Sequence, residues 1–507
     1  MNLKKILLPG FLLLCLQAIV SAQSGIIDTK YGKIEGYREG NIRIFKSIPF
    51  AAPPVGDLRW KAPQPPIAWK GVKKCTIFSA SPIQPKPEPF LCWSKEFIAP
   101  PAPLSEDCLY LNVWTGASSA TEKRPVFVWI YGGGFISGSA ACDIYDGLEF
   151  AKKGIVFVSI NYRVGALGFM AHPELTKEGN GSSGNYGLMD QVAALQWVKE
   201  NITAFGGDPS NVTIGGQSAG SISVYALIAS PAARGLFHRA IAESGGIFGS
   251  FQMGTLEDGE KTGMALQQKL HADNLKALRS LPTDSLLSAS PGWGGLHFAP
   301  VKDGRFLPSD FYKAFREGKF NQVDFLGGWV TDELTMFGIE KISKEKFIQT
   351  VHEEYSGNAD KLIALLPHAD SAEASASLRE IRQLSFAATS PYILSRYNSR
   401  PVYIYEFSHV PVDKPGFPNY GAFHTADVPF ALGNLHTWDR PWRPLDYDTE
   451  KNMSAYWVQF IRTGNPNITS LPRWESYKTG VTLEIGDDLI SQKKNLYGEL
   501  LEAMTAE

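Results

Sequence analysis

Apolar runs of strand length alternate along this chain with stretches of helical periodicity, a pattern that predicts a buried, largely parallel sheet wrapped by helices. Residues 125–131, Pro-Val-Phe-Val-Trp-Ile-Tyr, form a nearly continuous apolar strand, and residues 323–330 and 401–407 read the same way. Asn211-Val212-Thr213-Ile214 has the β-branched character of a strand end, and residues 221–229 continue at a spacing a helix uses. Leu188, Val192, Leu195 and Val198 recur at helical intervals, which predicts an amphipathic helix over residues 187–201 packed on the sheet. Residues 249–318 and 343–390 are helical in pattern but less continuously apolar, so they are expected to be excursions that cap a gorge.

Glycines punctuate two of the predicted strand ends. Gly216-Gln217-Ser218-Ala219-Gly220 sets a serine between glycines where a strand gives way to a helix. A chain reversing that sharply leaves no room for side chains beside the serine, so Gly216 and Gly220 flank it and Oγ is pushed outward as a nucleophile. Upstream, the apolar strand runs directly into Gly132-Gly133-Gly134-Phe135. Bare backbone N–H groups in such a loop can be aimed at an oxyanion without obstruction, and Gly133, Gly134 and Ala219 are the expected donors. A phosphate-cradling loop would need a following Lys-Ser/Thr, which is missing here.

Several further blocks stand in one order with these two: Ser105-Glu106-Asp107-Cys108-Leu109-Tyr110-Leu111-Asn112-Val113, Asn161-Tyr162-Arg163-Val164-Gly165, Gly184-Asn185-Tyr186-Gly187-Leu188-Met189-Asp190-Gln191 and residues 201–208. Together they make the chain resemble the type-B carboxylesterase family, the cholinesterase-like branch of the α/β-hydrolases, over nearly its whole mature length. The resemblance implies an α/β-hydrolase fold, with a large mostly parallel central sheet, flanking helices and helical excursions over an active-site gorge. It also implies a serine carboxylesterase acting through an acyl-enzyme on a small-molecule ester, with no cofactor.

Hydrolases of this fold order their triad as serine, acid, histidine, each near a strand end. The strand at 323–330 is followed at once by Thr331-Asp332-Glu333, and either carboxylate fits that order. The resemblance assigns the acid to Glu333, with Asp332 a supporting or solvent-facing neighbour. His409, His424 and His436 all follow the strand at 401–407, so order alone leaves three bases. Here the resemblance selects His424, in Gly421-Ala422-Phe423-His424-Thr425-Ala426-Asp427, with an acid three residues on. The remaining histidines, His172, His238, His271, His297, His352 and His368, are expected to be structural or exposed.

Composition fits one large enzyme. The chain has 507 residues, 44% of them hydrophobic, and no low-complexity linker divides it, so a single catalytic domain over residues 23–507 is expected. Its formal charge of -2 offers no basic footprint for nucleic acid. Residues 1–22 carry Lys4-Lys5, an apolar run and a small-residue end at Val20-Ser21-Ala22, the make-up of a signal peptide rather than a stable membrane anchor. Export to the periplasm or medium is therefore expected. Oligomeric state is left open.

Beyond the signal, Cys75, Cys92, Cys108 and Cys142 could pair in three complete ways in an oxidising compartment. The family commonly closes a loop onto the cysteine of its Ser-Glu-Asp-Cys block, here Cys108. The usual upstream partner is replaced around residues 82–84, so the resemblance points to Cys92 as the substitute, giving a Cys92–Cys108 disulfide. No cysteine or histidine pair shows metal-ligand spacing, and no metal is expected. Arg163 with Asp190, and Arg59 with Glu106, resemble buried ion pairs of the family. Trp293 and Phe298 are candidate pocket aromatics. A carbohydrate-directed feruloyl-type esterase or a lipase would share the triad. A non-catalytic cholinesterase-like adhesion domain would lack triad residues that are all present here.

Overall fold

The computed structural model describes residues 25–505 apart from residues 293, 339, 356, 417, 488 and 489. Residues 1–22, where a signal peptide is expected, and Trp293 therefore lie outside the described residues. Eleven strands form the central sheet. In chain order they are β1 (Tyr37–Glu39), β2 (Ile42–Pro49), β3 (Tyr110–Thr115), β4 (Arg124–Ile130), β5 (Val156–Ile160), β6 (Gly207–Gln217), β7 (Arg239–Glu243), β8 (Asp324–Val330), β9 (Val402–Phe407), β10 (Val481–Ile485) and β11 (Ile490–Lys494). Across the sheet they run β11-β10-β9-β8-β7-β6-β4-β5-β3-β2-β1. Neighbours from β10 to β5 are all parallel, and both flanks are antiparallel.

The parallel strands are apolar on both faces because helices cover both. Every residue of β8 and of β9 is buried, as is every residue of β5. The expected amphipathic helix spans Tyr186–Asn201, with Leu188, Leu195 and Val198 fully buried and Val192 only partly so. The helix after the serine, Ala219–Ala229, is buried on every side, as a helix through the middle of a large core must be. The two expected excursions are helical: Leu256–Lys269, Leu275–Ser280, Thr283–Ala289 and Phe311–Arg316 in the first, and Lys344–Glu354, Ala359–Leu365 and Ser371–Ala387 in the second. The second packs a small apolar core of its own around Phe347, Val351, Leu362 and Ile381. Among the described residues no helix is long and apolar enough to cross a membrane.

Both expected ion pairs form. Arg163 Nε and Nη2 donate to Asp190 at 2.8 and 2.7 Å, with side chains 4% and 0% exposed. Arg59 Nε donates to Glu106 Oε2 at 2.8 Å and its Nη1 to the carbonyls of Arg279 and Leu281, fastening the first excursion to the sheet's edge.

The expected Cys92–Cys108 disulfide is corrected: all four cysteines are free and buried. Cys108 lines a cavity of about 10 Å³ together with Pro82, Ile83, Trp60, Arg59 and Glu106, with no second cysteine among the lining residues. Cys92 sits instead in the turn between Phe90 and Trp93, which pair in an isolated bridge.

Candidate active site

Strand register brings the candidate groups to one edge of the sheet. Ile130 of β4 is level with Gly216 of β6, Gln217 with Glu243 of β7, and Glu243 with Gly328 of β8. The loops carrying the glycine run, Ser218 and Glu333 thus leave the carboxyl ends of neighbouring parallel strands, where open α/β sheets bind ligands.

Ser218 is held at φ 59°, ψ -123°, a strained conformation for a non-glycine residue that costs on the order of 1–3 kcal/mol. The flanking glycines explain how the turn closes. A Cβ on Gly216 would lie 2.6 Å from the Gly220 carbonyl oxygen, and one on Gly220 would overlap the Ile130 carbonyl. The Ser218 N–H donates to the Glu243 carbonyl at 2.9 Å, pinning the turn to β7. The glycine loop abuts this turn, since a Cβ on Gly132 would come within 3.0 Å of Ser218 Cβ. Gly133 and Gly134 take φ 111° and 62°. The Gly133 carbonyl accepts from Ile136 and Ser137 at 3.0 and 3.1 Å, while the N–H groups of Gly133, Gly134 and Ala219 donate to no acceptor among the described residues. Ala219 opens its helix, so the positive end of the helix dipole points to the same place.

His424 and Glu333 meet directly: Nδ1 is 2.5 Å from Oε2, with Glu333 1% and His424 8% exposed. The other Glu333 oxygen accepts from the Val330 N–H at 3.1 Å. Asp332, the rival acid, ties the histidine loop down. Its N–H donates to the Ala422 carbonyl at 3.1 Å and its Oδ2 accepts from the Ala422 N–H at 3.0 Å. Of the other histidines after β9, His409 is fully buried against Asp446 at 2.8 Å and His436 is exposed.

Ser218 Oγ has no hydrogen bond among the described residues. The neighbouring Gln217 amide nitrogen lies against the His424 imidazole, 3.1 Å from Nε2 and 3.4 Å from Nδ1. The structure therefore joins Glu333 to His424 and sets Ser218 one residue from the side chain that lies against the imidazole. Gln217 lay inside the pentad recognised from the sequence, yet nothing in the pattern of glycines distinguishes its side chain from filler.

Two rings flank the imidazole. Phe386 lies 5.5 Å and Trp93 6.2 Å from His424 between centroids, and Trp93 Nε1 donates to Thr425 Oγ1 at 3.1 Å. Phe386 comes from the second excursion and had no local signal in the sequence. Phe298, expected as a pocket aromatic, lines a cavity of about 20 Å³ with Ile136, Leu167, Leu286 and Leu296.

A strained serine at a strand-to-helix turn, free amides beside it and a paired glutamate and histidine across the same sheet edge define a serine hydrolase of the α/β-hydrolase class. Comparison with known proteins narrows this. The model of the carboxylesterase family matches residues 23–502, and the chain belongs to that family. It is 35% identical to the para-nitrobenzyl esterase of Bacillus subtilis over 89% of this chain and 92% of that one. It is 33% identical to the phenmedipham hydrolase of Pseudarthrobacter oxydans over 91% and 95% of the two. A solved para-nitrobenzyl (PNB) esterase structure superposes with a TM-score of 0.83 at 33% identity, covering 96% of this chain and all of that one. The protein is a carboxylic ester hydrolase.

Proposed function

We propose that Ser218 is the nucleophile, His424 its base and Glu333 the acid orienting that base, with Gly133, Gly134 and Ala219 forming the oxyanion hole. The observation that carries this reading is the 2.5 Å contact between Glu333 and His424 beside a serine held at positive φ. Glu333 accepting from Nδ1–H leaves the lone pair on Nε2, the tautomer a general base needs. As an ester enters, the serine hydroxyl turns to Nε2 beside the Gln217 amide that lies against the imidazole. His424 accepts the hydroxyl proton as Oγ attacks the carbonyl carbon. The resulting oxyanion is received by three amides that have no other acceptor among the described residues, and donors in place beforehand spare reorganisation at the moment of reaction. His424 then protonates the departing alcohol, and a water activated by the same imidazole releases the carboxylic acid.

The substrate is a small-molecule carboxylic ester with an uncharged, apolar or aromatic group near the scissile bond. Trp93 and Phe386 offer ring surface on either side of His424, and Gln217 puts a neutral amide at a position where a carboxylate would favour cations. A relative named for para-nitrobenzyl esters fits that chemistry. Residues 1–22 direct export to the periplasm or medium, ahead of one catalytic domain at 23–507.

A fluorophosphonate probe tests the assignment. One adduct per chain is expected, on the peptide carrying Ser218, with none in Ser218→Ala. Labelling elsewhere, or undiminished labelling of the variant, overturns it.

A further inference from the structure

Two carboxyl groups that take no part in the chemistry above are buried behind it. Glu243 ends β7, and its backbone carbonyl is the acceptor that pins Ser218. Asp427 lies three residues beyond His424, at the start of the helix Val428–Leu432. Both side chains are 0% exposed. Each is half satisfied by a neutral donor: Trp457 Nε1 donates to Glu243 Oε1 at 2.8 Å, and the Tyr405 hydroxyl to Asp427 Oδ2 at 2.7 Å. The two donors pack edge to face with ring centroids 5.0 Å apart, so the carboxyls are held by one aromatic unit. Glu243 Oε2 and Asp427 Oδ1 remain buried without a hydrogen-bond partner among the described residues.

Two charged carboxylates cannot rest there. The titratable groups that bear on the pair include Tyr405, Tyr145, Glu333 and His424, and among the described residues no lysine or arginine forms an ion pair with either acid. Burial raises the Glu243 carboxyl well above its ordinary range, and the charge of Asp427 pushes it further the same way. Burial likewise lifts Asp427 to about 7, with the charge of Glu333 adding to the rise. An isolated buried carboxylate costs several kcal/mol, so two neighbouring ones titrate as a unit and keep a proton far above the usual range.

We propose that Glu243 and Asp427 hold a single proton between them at neutral pH, forming a neutral-acid and carboxylate pair that positions the nucleophile turn and the histidine loop. The proton matters in two ways. It removes one of two negative charges that would otherwise repel across the space between β7 and the His424 loop. It also limits the negative charge facing the Glu333–His424 couple, which sees Asp427 directly. Both acids are positioning residues. Neither touches the substrate, and their link to turnover rests on the reading of Ser218, His424 and Glu333 given above.

The proton itself can be observed without turnover. Infrared spectra of the wild-type enzyme should contain a protonated-carboxyl C=O band at neutral pH that fades as the pH is raised. In the difference spectrum against Glu243→Gln or Asp427→Asn that band should be lost or shifted. Absence of any such difference for both variants overturns the proposal, whatever the state of the triad, while fluorophosphonate labelling of Ser218 reports on the triad alone. Kinetics supplies the second arm. Glu243→Leu is expected to lower kcat by about a hundredfold at little-changed KM, the scale of a small misplacement of reacting groups. Glu243→Gln, which keeps a donor where the acid carried its proton, is expected to recover most of that loss and to flatten the alkaline side of the pH profile. Equal losses in Leu and Gln, with the wild-type pH profile retained, would mean that packing alone is at stake and would sink the idea.

Discussion

The side-chain nitrogen of Gln217 stands 3.1 Å from Nε2 and 3.4 Å from Nδ1 of His424, so the residue preceding the serine lies against the imidazole proposed to accept the serine proton. An amide there places no charge beside the imidazole. A carboxylate would, and it would favour the protonated ring. Gln217→Glu is accordingly expected to move the acid limb of kcat/KM upward by about one pH unit, a change worth about 1.4 kcal/mol between the two protonation states. The pH profile of hydrolysis of an uncharged aryl ester checks this. An unmoved limb would mean that the contact does not bear on the base.

The triad assignment predicts very unequal losses. Ser218→Ala is expected to lower kcat by about a million-fold, since serine and base act as one unit. Glu333→Gln keeps the shape but upsets the imidazole tautomer, and a loss of about ten-thousand-fold is expected. Gly133→Ala places a Cβ against the Ser137 carbonyl at φ 111° and so misaims one oxyanion donor, for which about a hundredfold in kcat is expected. Steady-state kinetics on one chromogenic ester ranks all three. A Gly133→Ala loss larger than that of Ser218→Ala would contradict the roles.

Much of this geometry was legible in the chain because local physics demanded it. Only glycine tolerates the closeness of residues 216 and 220 to the carbonyls around them, and unbroken apolar runs such as β4 and β8 suit only strands covered on both faces. The short edge strands β1 and β11 carry no such signal, being partly exposed and polar. Glu243 was equally invisible, since the Trp457 donor that satisfies one of its oxygens stands 214 positions away. The disulfide expectation failed for a related reason. Cysteine spacing cannot tell which side chain faces a thiol, and around Cys108 those faces are Pro82 and Ile83.

Arg163 and Asp190 form a two-pronged pair with almost no solvent contact, and the Arg163 N–H also donates to Asp190 Oδ2 at 3.0 Å. Removing the guanidinium strands a buried carboxylate, so Arg163→Ala is expected to lose about 3–5 kcal/mol of stability. Replacing both residues with leucine should recover part of that loss, because a buried apolar pair has no charge left to desolvate. Denaturant midpoints for the single and double variants check the order. Wild-type stability in the single variant would show that the pair contributes nothing net.

The free cysteines make a prediction about reactivity that a Cys92–Cys108 disulfide would reverse. Burial pushes the Cys75, Cys92 and Cys142 thiols up to about 12 and raises Cys108 as well, so none is thiolate at neutral pH. All four are also buried, and a reagent must meet an accessible thiolate to react. The folded mature enzyme, purified without reductant, is therefore expected to resist Ellman's reagent. In denaturant the same sample should release four thiols per chain, one for each free cysteine. Two thiols, with a peptide linking residues 92 and 108 in the unreduced digest, would restore the covalent bridge and would require the turn at Phe90–Trp93 to pack against the Cys108 cavity. Four thiols would mean that the segment bearing Trp93 is held without a covalent bridge, by packing and by hydrogen bonds such as Trp93–Thr425. In that case Trp93→Phe, which keeps the ring and removes the donor, should raise KM for bulky esters more than it lowers kcat.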